Sequence, residues 1–171
     1  MSQQVAQRDE NFGPGQDKDI QQPLTLVMPI DFKSVDTLTE LLQRADVKMA
    51  SAAALDHVGT VHSTRFVILR DDEQGWAKIA VIAIYDGGFD EYIRVFAREL
   101  GPLFNQLISF VTDEDKPPLP VEQHVEELVR YVAKRDVKPA NGRTYSAFPD
   151  LTALDIYEAT RPRNDGAPSP A

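Results

Sequence analysis

Two apolar runs, residues 60–70 (TVHSTRFVILR) and 77–85 (AKIAVIAIY), constrain this chain more than any other feature. Neither alternates cleanly between apolar and polar, so the sheet they build is expected to be covered on both faces. A chain of 171 residues has few helices to spare, and the second cover is expected from another subunit. The intervening Asp71-Asp72-Glu73-Gln74-Gly75 predicts a polar hairpin loop, which makes the two strands antiparallel neighbours.

The remaining pattern is read outward from this hairpin. Residues 24–30 (LTLVMPI) predict a first strand, with Pro29 near its end, where a missing donor is tolerable. Ser34 offers a helix cap, and Val35, Leu38, Leu41, Leu42 and Ala45 follow at helical spacing. The alanine-rich residues 49–55 show no clear face and receive no assignment. After Asp86-Gly87-Gly88, apolar residues from Phe89 to Val111 recur at three and four, predicting a long helix. Gly101-Pro102 inside it predicts a kink or a break. Residues 112–120 (TDEDKPPLP) read as a surface link, and Val121, Val125, Leu128, Val129 and Val132 mark a third helix. Asn141-Gly142 predicts a turn, residues 143–148 (RTYSAF) a short fourth strand, and Leu151, Leu154 and Ile156 a last short helix.

Without the third helix, the order is strand, helix, strand, strand, helix, strand. This is the α+β arrangement called ferredoxin-like, βαββαβ with a four-stranded antiparallel sheet. Its helices lie on one face only, so two such sheets packed face to face would hide the other, making the chain a homodimer or larger homo-oligomer. One domain is expected over residues 23–160, flanked by polar flexible ends at 1–22 and 161–171.

A formal net charge of -9 argues against nucleic-acid binding and against an acidic membrane surface, because both need clustered cations. With no cysteine, thiolate chemistry and disulfides are excluded. No run approaches the roughly 20 apolar residues of a membrane span, and the first residues do not read as a secretion signal, so the expected location is cytoplasmic.

At the residue level, GTVHSTRF (59–66) and YDGGFDEYI (85–93) resemble a TVHxxRF and YDGxFxxYI pattern found in small bacterial proteins and peroxidase-associated domains. Together with the architecture, this resembles the dimeric α+β barrel superfamily, which includes cofactor-free monooxygenases, stress-responsive barrel proteins and haem-binding relatives of chlorite dismutase and dye-decolourising peroxidases. The resemblance implies a sheet-walled interior and leaves haem as a possible cofactor. The GxxDG signature of the haem peroxidases is not reproduced here, so no cofactor is the expectation.

The residues singled out for chemistry are His62, Arg65 and Asp86 as catalytic candidates, with Tyr85, Phe66 and Tyr145 as ligand contacts. Imidazole exchanges protons near neutral pH and ligates metals, so His62 reads as a general base or an axial haem ligand, against the plainer reading of a hydrogen-bonded core residue. Arg65 needs an anion, and Asp86 is its expected partner, unless Asp86 instead caps the helix that follows. No metal-ligand spacing such as HExxH occurs, and Gly87-Gly88 lacks the phosphate-loop lysine. The functional expectation is therefore a small-molecule-binding homo-oligomer, in its enzymatic form a cofactor-free oxygenase or isomerase acting on a small apolar or aromatic substrate. The alternatives are a non-catalytic assembly protein and a haem-binding or haem-enzyme-associated one.

Overall fold

The computed structural model describes residues 20–137 and 144–160. Three strands, β1 (Gln22–Ile30), β2 (Val61–Asp71) and β3 (Trp76–Tyr85), form an antiparallel sheet in the order β1-β3-β2. β1 and β2 both run antiparallel to the β3 between them. They are linked through α1 (Val35–Gln43) and α2 (Ala45–Val58), so the first half of the chain is a split βαβ unit. Three further helices complete an α+β architecture: α3 (Phe89–Phe110), α4 (Val125–Arg135) and α5 (Ala153–Thr160).

The core lies on one face of the sheet. Leu24, Leu26, Met28 and Ile30 of β1 and Ile79, Val81, Ala83 and Tyr85 of β3 are at most 4% exposed, because period-two alternation sends all of them to the helical side. α3 supplies the opposing stripe, with Ile93, Phe96, Leu100, Phe104, Leu107 and Ile108 buried. α1 contributes Val35, Leu38 and Leu41, and α4 adds Leu128, Val129 and Val132. α2 has no fully buried residue: it lies over α3 and touches the core only through the half-buried Val47, Ala54 and Leu55. It stops at Gly59, whose φ of 69° is the left-handed conformation that closes a helix.

The predicted fourth strand does not join the sheet. Of residues 144–148 only Tyr145 takes a bridge position, and Arg143 lies outside the described residues. With β3 flanked on both sides, a fourth strand can add only at a free edge, and the edge of β1 is already occupied. There the Val137 N–H donates to Thr25 O (2.8 Å) and the Thr112 N–H to Pro29 O (3.0 Å). Single antiparallel bridges, Leu26 to Asp136 and Ile30 to Val111, complete this border. Two short crossings thus satisfy backbone groups that a continuous strand would otherwise pair.

Of the kink or break expected at Gly101-Pro102, the break is absent, since α3 runs unbroken through Pro102. Gly101 has a local reason to lack a side chain: a Cβ there would collide with Glu122 of the 3₁₀ turn Val121–Gln123 packed across it. Charged contacts hold α4 and the preceding link in place. The Tyr131 hydroxyl donates to Asp113 (2.6 Å), Arg135 pairs with Asp113 (2.8 Å), and Lys134 pairs with Asp115.

Most of the predicted N-terminal arm, the Asn141-Gly142 turn and the C-terminal tail lie outside the described residues. Among the described residues, no helix is long and apolar enough to cross a membrane.

Candidate site at the Asp86 end of the sheet

The sheet ends, on one side, at a buried carboxylate. Asp86 follows the last residue of β3, and Gly87 beyond it takes a φ of 95°, which turns the chain toward α3 without a side-chain clash. Asp86 is 8% exposed, one of two buried polar residues among those described; the other is Gln21. Its Oδ1 accepts the Gln21 N–H (2.9 Å) and lies 2.8 Å from His62 Nε2. Its Oδ2 accepts the Ala153 N–H (2.7 Å) at the start of α5. Asp86 therefore does not cap α3, whose cap is Gly88 with no side-chain bond. It gathers the approach to β1, the start of β2 and the C-terminal helix onto one carboxylate.

The partner expected for Asp86 was Arg65, and this is corrected by the position of the two side chains. Arg65 pairs with Ile82 in register and lies exposed on the outer face of the sheet, away from Asp86. His62 takes the position instead, helped by a break in the ladder. Val61 pairs with Tyr85 and Ser63 with Ile84, so His62 is an extra residue between adjacent partners. Such a bulge turns a side chain away from strict alternation. A carboxylate acts as acceptor, so Nε2 is the ring nitrogen that donates toward Asp86.

The other candidates separate. Tyr85 is 3% exposed and stacks on Tyr92, with ring centroids 3.9 Å apart. Burial, and secondarily the Asp136 carboxylate, pushes its phenol up to about 12. Burial likewise raises Tyr92, whose hydroxyl has no hydrogen-bond partner among the described residues. Phe66 is half-buried against the core and Tyr145 is 60% exposed.

A cavity of about 290 Å³ lies beside the pair. Leu55, Asp56 and Gly59 line it from the end of α2, Val61 from β2, and Ala153, Leu154 and Tyr157 from α5. Val61 immediately precedes His62, and Ala153 is the donor to Asp86, so the cavity wall and the buried pair share neighbouring backbone. Sequence reasoning missed Gln21, Leu55, Leu154 and Tyr157. Only Leu154 and Tyr157 carried a signal, as one helical step of three residues. Among the described residues no group of three or more histidine, aspartate or glutamate side chains is placed to hold a metal ion.

Comparison with protein-family models, with curated proteins and with solved structures finds no match to this chain. The structure is thus an α+β domain with a partly buried His–Asp pair next to a small, mostly apolar cavity.

Proposed function

We propose that this protein is a ferredoxin-like homo-oligomer that binds a small, mostly apolar molecule in the cavity between α2, β2 and α5. The observation that carries the reading is the His62–Asp86 pair, 2.8 Å apart and nearly enclosed, behind the wall of that cavity. Asp86 holds the imidazole through Nε2; His62 does not itself line the cavity, so in this reading a ligand meets it past the Val61 wall. At about 290 Å³ the space is at the lower end of small-molecule pockets and suits a single substituted ring. In the enzymatic form of this reading, His62 is the proton acceptor of an isomerase or cofactor-free oxygenase, and Asp86 holds its orientation. Arg65 has no part in it, since it stands on the other side of the sheet. Haem is not part of this reading either: His62 Nε2 is engaged by Asp86 and the cavity is small for a macrocycle.

Ligand-observed NMR with a set of phenols and aromatic carboxylic acids tests the site. Binding by the native chain that is lost in Leu154→Trp, which fills the cavity, and weakened in His62→Leu supports the proposal. Absence of binding at millimolar probe, or binding indifferent to Leu154→Trp, overturns it.

A second reading, in which assembly itself is the function, rests on the outer sheet face. Val27, Ala80 and Val67 form one row across it, with Ile82 and Leu69 beside them. Leu69, Trp76 and Ile82 are 41%, 40% and 37% exposed. In this reading a second copy of the chain covers that face, removing apolar area from water at roughly 25 cal/mol per Å².

A further inference from the structure

The cavity between α2, β2 and α5 presents polar groups of one kind. Among the described residues its lining holds a single charged side chain, the carboxylate of Asp56, and no lysine, arginine or histidine. Tyr157 adds an aromatic ring, whose face attracts cations. Asp56 and Tyr157 both line the space and are exposed to solvent, which puts them at its mouth, with the half-buried Leu55, Val61 and Ala153 further in.

The backbone at the mouth has the same polarity. α2 ends at Val58, and the last carbonyl groups of a helix carry the negative end of its dipole. Leu55 O accepts the Gly59 N–H at 3.2 Å, while the carbonyls of Asp56, His57 and Val58 take no backbone donor among the described residues. Leu55 and Gly59, at this end of the helix, line the cavity, so the space opens against an edge of acceptors.

The fold itself gives Asp56 no work. A carboxylate in the last turn of a helix opposes the dipole, and cations are the residues favoured there. Asp56 makes no hydrogen bond and no ion pair with a described residue, and the neighbouring His57 does not line the cavity. Local conflicts of this kind, uncompensated within the chain, concentrate at functional sites. The net charge of -9 adds a field of the same sign.

We propose that the ligand of this cavity is a small organic cation: an amine whose apolar body fills the space and whose ammonium group stays at the mouth, beside Asp56, the Tyr157 ring and the α2 carbonyls. This rests on the small-molecule reading above and names the charge of its ligand. An anion of the same shape meets only acceptors and is disfavoured. Because Asp56 is exposed, water screens the pair, and the preference for the cation over a neutral isostere has the size of a surface ion pair, about fivefold.

Benzylamine, benzyl alcohol and benzoate share one ring and differ in charge near neutral pH. Titrating each against the native chain by ligand-observed NMR, at low salt where screening is weakest, separates the cavity from its charge. The expected order of affinity is amine, alcohol, benzoate, with about fivefold between the first two. Asp56→Asn is expected to close most of that gap, and Asp56→Lys to place benzoate ahead of the amine. Both variants should unfold at or above the native urea midpoint, since each removes a carboxylate from the negative end of a helix. A lower midpoint would reveal a partner for Asp56 within the fold and overturn the proposal. An amine no tighter than the alcohol, or a gap that survives Asp56→Asn, overturns the cation while leaving the cavity reading intact. Absence of binding by all three overturns both.

Discussion

The two faces of the sheet are built from the same three strands and meet opposite fates. On the inner face Leu26, Met28, Ile79 and Val81 are between 0% and 1% exposed, roofed by α1, α3 and α4. On the outer face Leu69, Trp76 and Ile82 keep roughly two-fifths of their surface in water. Both faces are apolar by composition, so hydrophobicity alone does not distinguish them. The distinction is that the helices following β1 and β3 return to the same side, leaving the other for whatever the chain meets outside itself.

The largest effect that tests this contrast is in the covered face. Leu26→Ala is expected to cost about 3 kcal/mol by chemical denaturation, from lost transfer energy plus the cavity left in a packed core. Next is the carboxylate at the sheet end. Asp86→Ala removes an acceptor used by two backbone donors and His62, and about 2 kcal/mol is expected, since bonds to a charged group are the stronger kind. Faster amide exchange at Gln21 and Ala153 should accompany it; unchanged exchange at Ala153 would show that α5 is held by something else.

Alkaline pH probes the covered side in another way. The folded Tyr85 phenol, at about 12, lies above its unfolded value of about 10. The neutral form is thus favoured by folding, and the associated stability is fully present below about pH 10 and lost as pH rises toward about 12. Urea midpoints should fall across that window, and Tyr85→Phe should flatten part of the fall. A slope unaffected by Tyr85→Phe would assign the alkaline loss elsewhere, with Tyr92 and Tyr131 the next to replace, since burial raises both.

Smaller effects are expected on the open face. Ile82→Ala should cost under about 1 kcal/mol in a dilute sample, and more where the chain associates. If it costs as much as Leu26→Ala at all concentrations, the contrast between the faces collapses. Tyr92→Phe should be close to neutral despite full burial, because it removes a hydroxyl with no partner among the described residues.

Much of this architecture was legible in the chain. The three strands and the long helix follow from alternation and from three-and-four spacing over runs long enough to be unambiguous. The α2 helix was not legible, because its half-buried stripe, Val47, Ser51, Ala54, Leu55 and Val58, is made partly of serine and alanine that do not stand out from the alanines around it. Of the strand expected over residues 143–148, the described residues 144–148 do not join the sheet, because local propensity cannot register that Val111–Thr112 and Asp136–Val137 already border β1. His62 and Asp86 were both singled out, but their pairing depends on a bulge between Val61 and Ser63 that period-two reasoning does not contain. The third member of that junction, Ala153, is 67 residues from Asp86 and contributes only a backbone N–H, which has no signature in residue type.

By itself, then, the order of side chains settled which segments become strands and helices and made both sheet faces apolar, since those properties depend on neighbours within a few positions. Tertiary structure decided which face the helices cover, which imidazole meets Asp86 and where the C-terminal helix is anchored. These depend on contacts between distant segments, whose loop-closure cost is repaid only when the whole set of burial and hydrogen bonds forms together.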